Sequence, residues 1–161
     1  MALTTKISLA KALATGLYSG YSPRAPGTAG SVAYAAIMIL LVSISPSTFN
    51  NTFQIITALA VTATALVSTD ICLKSSVFKD SSDPQEVVID EWAGLAVALI
   101  GCPANIANIL LSLVLFRIFD IWKPWPIKKV EKLPGSWGVT CDDLVAGFFA
   151  LITFQIITQL I

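Results

Sequence analysis

The chain has 161 residues, a length typical of a single domain, and its ten basic residues balance its ten acidic ones. Hydrophobic residues make up 55% of the sequence and charged residues only 12%, about half the charged share of a soluble domain. So few charges cannot cover the surface of a water-soluble protein of this size, and the balanced charge gives no sign of nucleic-acid binding. The composition therefore favours a protein that has the lipid bilayer as its solvent.

The first segment, MALTTKISLAKALATG, lacks the long apolar run of a signal peptide. Its spacing predicts an amphipathic helix, with Leu9, Leu13 and Leu17 in one row and with Lys6 and Lys11 able to remain in contact with water. We expect this helix to lie at the membrane surface.

Five apolar segments follow. Four of them, at 28–44, 53–71, 104–119 and 143–161, have about 16–20 residues, close to the length that crosses a bilayer as a helix. The third in chain order, 87–101, would measure only about 22 Å as a helix. It fits a helix at a thin end of the bundle, a re-entrant half-helix, or a helix whose first turn lies in the interface. We favour the last, because Asp90 and Glu91 fall in that first turn.

These segments predict an all-α, polytopic membrane bundle that forms one membrane-embedded domain over residues 1–161. It would contain about five membrane-embedded helices plus the N-terminal interfacial helix. The breaks at 45–52 and 101–105 carry no charged side chain, whereas the stretches ending at Arg24, at 70–91 and at 117–143 carry all of the charges. With five crossings the charged stretches share one side, and the Lys and Arg bias places that side in the cytoplasm. Four crossings would break this separation.

The absence of histidine and the scattered positions of the cysteines exclude several catalytic mechanisms. There is no histidine, which excludes histidine-based phosphatases and Ser-His-Asp hydrolases. Cys72, Cys102 and Cys141 show neither zinc-ligand spacing nor a following arginine in a phosphate-loop arrangement, so we expect them to serve packing. No DxD pair follows a strand-like run, which argues against an aspartyl-phosphate enzyme. Metal-dependent chemistry by carboxylates remains.

Paired carboxylates stand at two places beside apolar helices, Asp90-Glu91 and Asp142-Asp143. Acids at a helix start also cap free amides and favour the positive end of the dipole, and this alternative stays open for the second pair. Two such pairs in one chain are harder to explain by capping, since adjacent like charges repel and near a membrane need a cation or basic partners. Carboxylate oxygens suit Mg²⁺, which leaves room for water and a substrate phosphate.

The stretch FRIFDIWKPWPI, residues 116–127, places Arg117, Asp120 and Lys123 three residues apart, on roughly one helix face. Arginine and lysine are natural phosphate ligands. Arg117 would also form an ion pair with Asp120 across one turn, and the two interpretations are compatible.

The turn YSPRAPGTAGS, residues 21–31, leads into the first apolar segment and leaves backbone amides and the hydroxyls of Thr28 and Ser31 available. A helix start of this kind binds phosphate readily, although a plain helix cap explains the pattern as well.

Four stretches together resemble a known family. SGYSPRAPGTAGS, DPQEVVIDEWAG, FRIFDIWKPWPI and GVTCDDLVAG occur in the order and with roughly the spacing of phosphatidylglycerophosphatase A, from about Gly16 to Gly147. The resemblance implies a Mg²⁺-dependent phosphatase of the bacterial cytoplasmic (inner) membrane that hydrolyses phosphatidylglycerophosphate to phosphatidylglycerol and inorganic phosphate in glycerophospholipid biosynthesis. The glycines before the second acid pair are spread out here, which departs from the family's pattern. Asp83 matches a further family acid.

The candidate site follows from these motifs. The predicted catalytic and metal-binding residues are Asp90, Glu91, Asp120, Asp142 and Asp143, and the predicted substrate-binding residues are Thr28, Gly30, Ser31, Arg117 and Lys123. The implied cofactor is Mg²⁺, and the implied partners are the phospholipid substrate and the membrane, with no nucleic acid. Asp142 or Glu91 would serve as general base. The rival hypothesis is a small ion-coupled transporter, which predicts charges near the bilayer centre.

Overall fold

Seven α-helices form the part of the chain that the computed structural model describes, residues 2–78 and 84–160. They are α1 (Ala2–Ala14), α2 (Pro26–Ile44), α3 (Asn51–Lys74), α4 (Ile89–Ala98), α5 (Ile106–Trp122), α6 (Ile127–Val130) and α7 (Ser136–Leu160). Short 3₁₀ helices at Ser19–Tyr21 and Pro46–Thr48 lie in two of the connections. These ranges contain no β-strand, so the all-α prediction is confirmed.

Local residues explain several helix boundaries. Asn50 and Asn105 precede α3 and α5, and each side chain accepts a backbone N–H of the first turn, at 3.1 and 2.8 Å. These are the caps that a helix start requires. At the other end of α5, Lys123 adopts a left-handed conformation with φ of 44° and Pro124 follows it. Since proline cannot continue a helix, the chain turns there into α6.

The short helix α4 lies at the centre of the bundle, where it packs against α2, α3, α5 and α7. Its residues Ala93, Leu95 and Ala98 are fully buried. A Cβ on Gly147 of α7 would overlap the carbonyl of Gly94, so the two helices approach through their glycines. Close backbone contact of this kind gives helices a large packing area without bulky side chains. The three cysteines, two of them buried, are free thiols.

Three helices in the described ranges are long and apolar enough to cross a membrane: α2, α3 and α7. Their outer faces carry exposed aliphatic side chains such as Leu40, Leu59 and Ile156, a surface that hydrocarbon would solvate. The helix predicted at 87–101 is shorter than expected, because α4 has only 10 residues. Helix α5 has 17. The count of about five membrane-embedded helices therefore stays a prediction.

The start of α7 differs from the sequence-based expectation. The acid pair was expected to open an apolar helix at 143, but α7 begins at Ser136, so Asp142 and Asp143 lie in its second turn. The helix begins earlier because Gly135, with φ of 62°, turns the chain and the residues from Ser136 onwards continue as helix. Gly138 packs so closely under the preceding loop that a Cβ would overlap the carbonyl of Leu133. Capping of the first turn therefore does not explain the two acids.

The N-terminal helix also packs differently from the prediction. Helix α1 ends at Ala14, and Leu17 lies beyond it in a left-handed conformation, so the row of three leucines is not continuous. The buried face consists of Ala10 and Ala14, which pack with Ala65 of α3, while Leu9 is exposed. Small side chains allow α1 to approach α3 closely, while Leu9 and Leu17 are exposed and Leu13 is half-buried.

The uncharged breaks lie together at one end of the bundle. The buried side chain of Gln54 donates a hydrogen bond to the carbonyl of Cys102 at 2.7 Å and accepts one from the N–H of Gly101 at 2.8 Å. This joins the start of α3 to the connection between α4 and α5. The start of α2, the start of α4 and the end of α5 meet at the opposite end.

Candidate active site

A cavity of about 560 Å³ opens at the charged end of the bundle. Its walls come from the starts of α2 and α4, the end of α5, the connection from α6 to α7, and the second turn of α7. Seven of the ten predicted site residues line it: Asp90, Glu91, Arg117, Asp120, Lys123, Asp142 and Asp143. The fold therefore brings together acids and cations from three separate motifs.

Three of the five carboxylates form a tight group. One oxygen from each of Asp90, Glu91 and Asp143 lies within 4.8 Å of the others. Asp90 and Asp143 are buried, with 7% and 4% of their surface exposed. Asp120 also lies close enough to Asp143 to repel it. We call Asp90, Glu91 and Asp143 the carboxylate triad.

Arg117 lies between the carboxylates and the start of α2. Its guanidinium forms an ion pair with Asp120 one turn further along α5, and its Nη1 lies 3.9 Å from Oε1 of Glu91. The same group donates hydrogen bonds to Oγ1 of Thr28 at 3.2 Å and to Oγ of Ser31 at 3.4 Å. The ion pair predicted from spacing is present, but Arg117 also belongs to a larger polar network.

Lys123 connects α5 to the other acid of the α7 pair. Its Nζ donates hydrogen bonds to Asp142 at 2.7 Å and to Glu131 at 2.9 Å. Burial lowers the pKa of Lys123, but the hydrogen bonds to Asp142 and Glu131 outweigh burial and raise the pKa above its ordinary value. Lys123 is therefore a permanent cation at the cavity wall. Asp142 differs from the carboxylate triad in having this cation as its partner.

The three predicted residues at the start of α2 lie behind the cavity wall. Thr28 and Ser31 accept hydrogen bonds from Arg117, and Ser31 also donates to the carbonyl of Gly27 at 2.9 Å. Gly30 faces Val88, where a Cβ would come within 2.6 Å of the valine Cβ. The geometry gives the two hydroxyls a role in positioning Arg117 and gives Gly30 a role in packing, and phosphate binding by these residues stays a prediction.

Two residues of the site were missed by the sequence reasoning. Gly27 lines the cavity, and a Cβ there would overlap the carboxylate of Glu91. Its place in the quoted glycine-containing turn was a usable signal. Glu131 binds Lys123, but nothing in its polar, charged surroundings distinguishes it in the sequence. Asp83, matched through the family resemblance, lies outside the described residues.

The geometry of the carboxylate triad fits a divalent metal ion. Three carboxylates this close and this poorly hydrated repel one another strongly unless a cation or protons intervene. Oε2 of Glu91 is buried and has no hydrogen-bond partner within residues 2–78 and 84–160, so its lone pairs are available. An all-oxygen donor set is the one that hard divalent cations prefer. With Arg117 and Lys123 on either side, the cavity can accept a phosphate beside a metal.

Comparisons with known proteins agree with this chemistry. Residues 12–158 match the sequence model of the family described as Phosphatidylglycerophosphatase A. A protein from Escherichia coli with that name is 31% identical over 84% of this chain and 75% of its own length. One from Haemophilus influenzae, also so named, is 36% identical over 87% of this chain and 83% of its own length.

A relative with a different name has a similar level of identity. A protein from Bacteroides thetaiotaomicron named "Putative phosphatidylinositol-3-phosphatase" is 36% identical over 89% of this chain and 90% of its own length. All three names describe phosphatases that act on a phosphorylated lipid headgroup. No solved structure matches the chain.

Proposed function

The chain belongs to the phosphatidylglycerophosphatase A family, and we propose that it hydrolyses the terminal phosphate of phosphatidylglycerophosphate to give phosphatidylglycerol and inorganic phosphate. One structural observation carries the proposal: three carboxylates within 4.8 Å share a cavity with Arg117 and Lys123. Metal ligands and phosphate ligands side by side are what metal-assisted phosphoester hydrolysis requires. The family resemblance from the sequence is confirmed.

The cofactor in this proposal is Mg²⁺, held by Asp90, Glu91 and Asp143. When bound, the ion would neutralise charge on the phosphate and lower the pKa of a bound water. Gly27 keeps the wall beside Glu91 free of a side chain, so that the carboxylate reaches the cavity. Asp120 and the two hydroxyls of α2 hold Arg117 in place.

The remaining charged residues act on the phosphoryl group and the attacking water. Arg117 and Lys123 would bind the phosphate oxygens and stabilise the charge that develops on them. Of the two candidate general bases, we favour Asp142. Its Oδ2 is held by Lys123, whereas its buried Oδ1 has no hydrogen-bond partner in the described ranges and can accept a proton from water. The water oxygen then bonds to phosphorus, the bond to the glycerol oxygen breaks, and the proton that Asp142 accepted passes to that oxygen.

The test is phosphate release from phosphatidylglycerophosphate by the detergent-solubilised protein, with and without chelator. Asp143→Asn should lose both Mg²⁺ binding and activity. Asp142→Asn should bind Mg²⁺ as the wild type does but lose roughly 100-fold or more in kcat, as expected for loss of a general base. Asp70→Asn is the matched control, because Asp70 pairs with Lys74 on the outside of α3. Release that ignores chelation, or full activity of Asp143→Asn, would contradict the assignment.

Substrate choice needs a panel of lipids. Because one relative is named for a phosphoinositide substrate, phosphatidylinositol 3-phosphate and phosphatidic acid belong beside phosphatidylglycerophosphate in the assay. We expect the highest kcat/KM for phosphatidylglycerophosphate. Within the described residues nothing supports the transporter alternative, because the cavity acids gather at one end of the bundle instead of midway along the helices.

The proposed location is the bacterial cytoplasmic membrane, with about five embedded helices and the cavity facing the cytoplasm. In this arrangement α2, α3, α4, α5 and α7 each carry the chain from one side to the other, and the acidic first turn of α4 lies at the interface. A reporter enzyme that is active only outside the cytoplasm should be active when fused after α7 and silent when fused in the connection between α5 and α7. The reverse pattern would overturn the orientation.

A further inference from the structure

We propose that a groove between α2 and α5 holds an acyl chain of the phospholipid substrate and thereby places the lipid's phosphates at the carboxylate cavity. The groove has a volume of about 510 Å³. This inference rests on the proposed function, because it assumes a lipid phosphomonoester as substrate. It adds the binding site for the part of the substrate that does not react.

The groove is apolar over most of its length. Val32 contributes one wall from α2, and Val114, Ile118 and Ile121 contribute the other from α5. All four side chains are about half exposed or more. From Val114 to Ile121 the groove follows α5 for about 10 Å, roughly a third of the thickness of a hydrocarbon core. Its size therefore suits the upper part of one acyl chain.

The groove shares one wall residue with the cavity. Arg117 lines both spaces, and Thr28, which lines the groove, accepts a hydrogen bond from it at 3.2 Å. An amphipathic ligand that lies in the groove must place its polar part at Arg117. The groove and the carboxylate cavity are therefore continuous through one side chain.

The proposed substrate has apolar and anionic parts in the same order as the groove, Arg117 and the carboxylate cavity. Phosphatidylglycerophosphate has acyl chains, then an internal phosphodiester, then a glycerol with the terminal phosphate. Arg117 lines the groove as well as the cavity, and 17% of its side chain is exposed, so its guanidinium can meet an additional anionic oxygen. With a chain in the groove, the phosphodiester lies beside Arg117 and the terminal phosphate lies beyond it, towards the carboxylate triad.

Bulk membrane lipid is the competing occupant, since every exposed apolar face of the bundle will contact lipid. The faces of α3 and α7 also carry exposed side chains, such as Val67 and Phe148. The groove between α2 and α5 differs from them because Arg117, which also lines the cavity, forms part of its wall. A site for the substrate chain should therefore affect turnover of the lipid, whereas an ordinary lipid-facing surface should not.

The experiment fills the groove from each wall with Val32→Trp and Val114→Trp. Val67→Trp is the matched control, because it makes the same substitution on an exposed part of α3. Each variant is assayed on long-chain phosphatidylglycerophosphate in mixed micelles and on the deacylated, water-soluble headgroup phosphate. We expect kcat/KM on the lipid to fall at least 10-fold in both groove variants, with unchanged kcat/KM on the deacylated substrate and a control equal to wild type. Unchanged lipid turnover, or an equal loss on both substrates, would overturn the proposal.

A second measurement does not depend on the variants. Phosphatidylglycerophosphate with a photoreactive diazirine in its acyl chain should label the wild-type peptides that contain 28–32 and 113–122, and unlabelled substrate should compete for this labelling. Labelling spread evenly over α3 and α7, or indifferent to competitor, would show lipid contact only and would refute the groove. If wild-type protein releases phosphate from neither substrate, the proposed function itself fails, which is a different outcome from either of these.

Discussion

Asp143→Asn is predicted to stabilise the metal-free protein while it removes the response to Mg²⁺. Asp143 is almost fully buried and belongs to a triad whose oxygens lie within 4.8 Å of one another. The substitution keeps the size of the side chain and removes one charge. The carboxylate triad then contains one repulsive pair instead of three.

The magnitude follows from the distances. Two unit charges 4.8 Å apart repel by about 3.5 kcal/mol at an effective dielectric constant of about 20. Asp143 takes part in two such pairs, so full ionisation of the triad would give about 7 kcal/mol of repulsion to remove. Proton uptake by the wild-type triad reduces the measured gain to about 2 kcal/mol. For a chain of this length, that gain corresponds to a rise in Tm of about 4–8 °C in chelator.

Mg²⁺ should stabilise the wild type and have little effect on Asp143→Asn. At about 100 times its Kd, a bound ion stabilises the wild type by about 2.7 kcal/mol, whereas the variant lacks one of the three ligands. The assay is thermal unfolding of the detergent-solubilised proteins in chelator and in saturating Mg²⁺, with Asp70→Asn as control. If Asp143→Asn unfolds below wild type in chelator and gains as much as wild type from Mg²⁺, the carboxylate triad is not a metal site.

Three further predictions test other contacts. Gly27→Ala should lower kcat at least 10-fold with little change in Tm, because its Cβ displaces the carboxylate of Glu91; unchanged kinetics would show that this carboxylate has room to move. Gly147→Val should destabilise the fold by about 2 kcal/mol or more, since it forces α7 away from Gly94; a Tm within error of wild type would contradict the close packing. The hydrogen bonds that raise the pKa of Lys123 stabilise the fold fully below the unfolded pKa of about 10.4, and this stabilisation is lost as pH rises from there through the folded value. The difference in Tm between wild type and Lys123→Met should therefore begin to shrink only above about pH 10.4. A constant difference would show that packing, not charge, holds Lys123.

The acids and cations of the site could be predicted because their residue types and their apolar neighbours are visible in the sequence, without knowledge of the fold. A charged side chain next to an apolar helix is costly unless it has a partner or a function. Asp90, Glu91 and Arg117 were identified by that argument. The resemblance to a family pointed to the same residues. The roles of Thr28 and Ser31 were not predictable, because a hydroxyl at a helix start serves a phosphate or a neighbouring side chain equally well. Only the position of Arg117 relative to α2 distinguishes these roles.

Which contacts each carboxylate makes also depended on tertiary structure. In the sequence Asp142 and Asp143 are adjacent and equivalent. On α7 they point in directions about 100° apart, so one meets Lys123 and the other meets Asp90 and Glu91. Glu131 had no sequence signal for the same reason, since its importance comes entirely from its partner Lys123.

The sequence alone determined the all-α class, the membrane environment, the gathering of charge on one side and the family. The first three follow from composition, periodicity and the positions of the charged residues along the chain, and the family follows from the resemblance of four motifs. Tertiary structure decided that α4 is a short central helix and that α7 begins at Ser136. It also decided which three acids form the triad and that a groove leads to Arg117. These depend on how closely glycine-lined helices approach and on the rotation of each helix about its axis, and neither is encoded in any single segment.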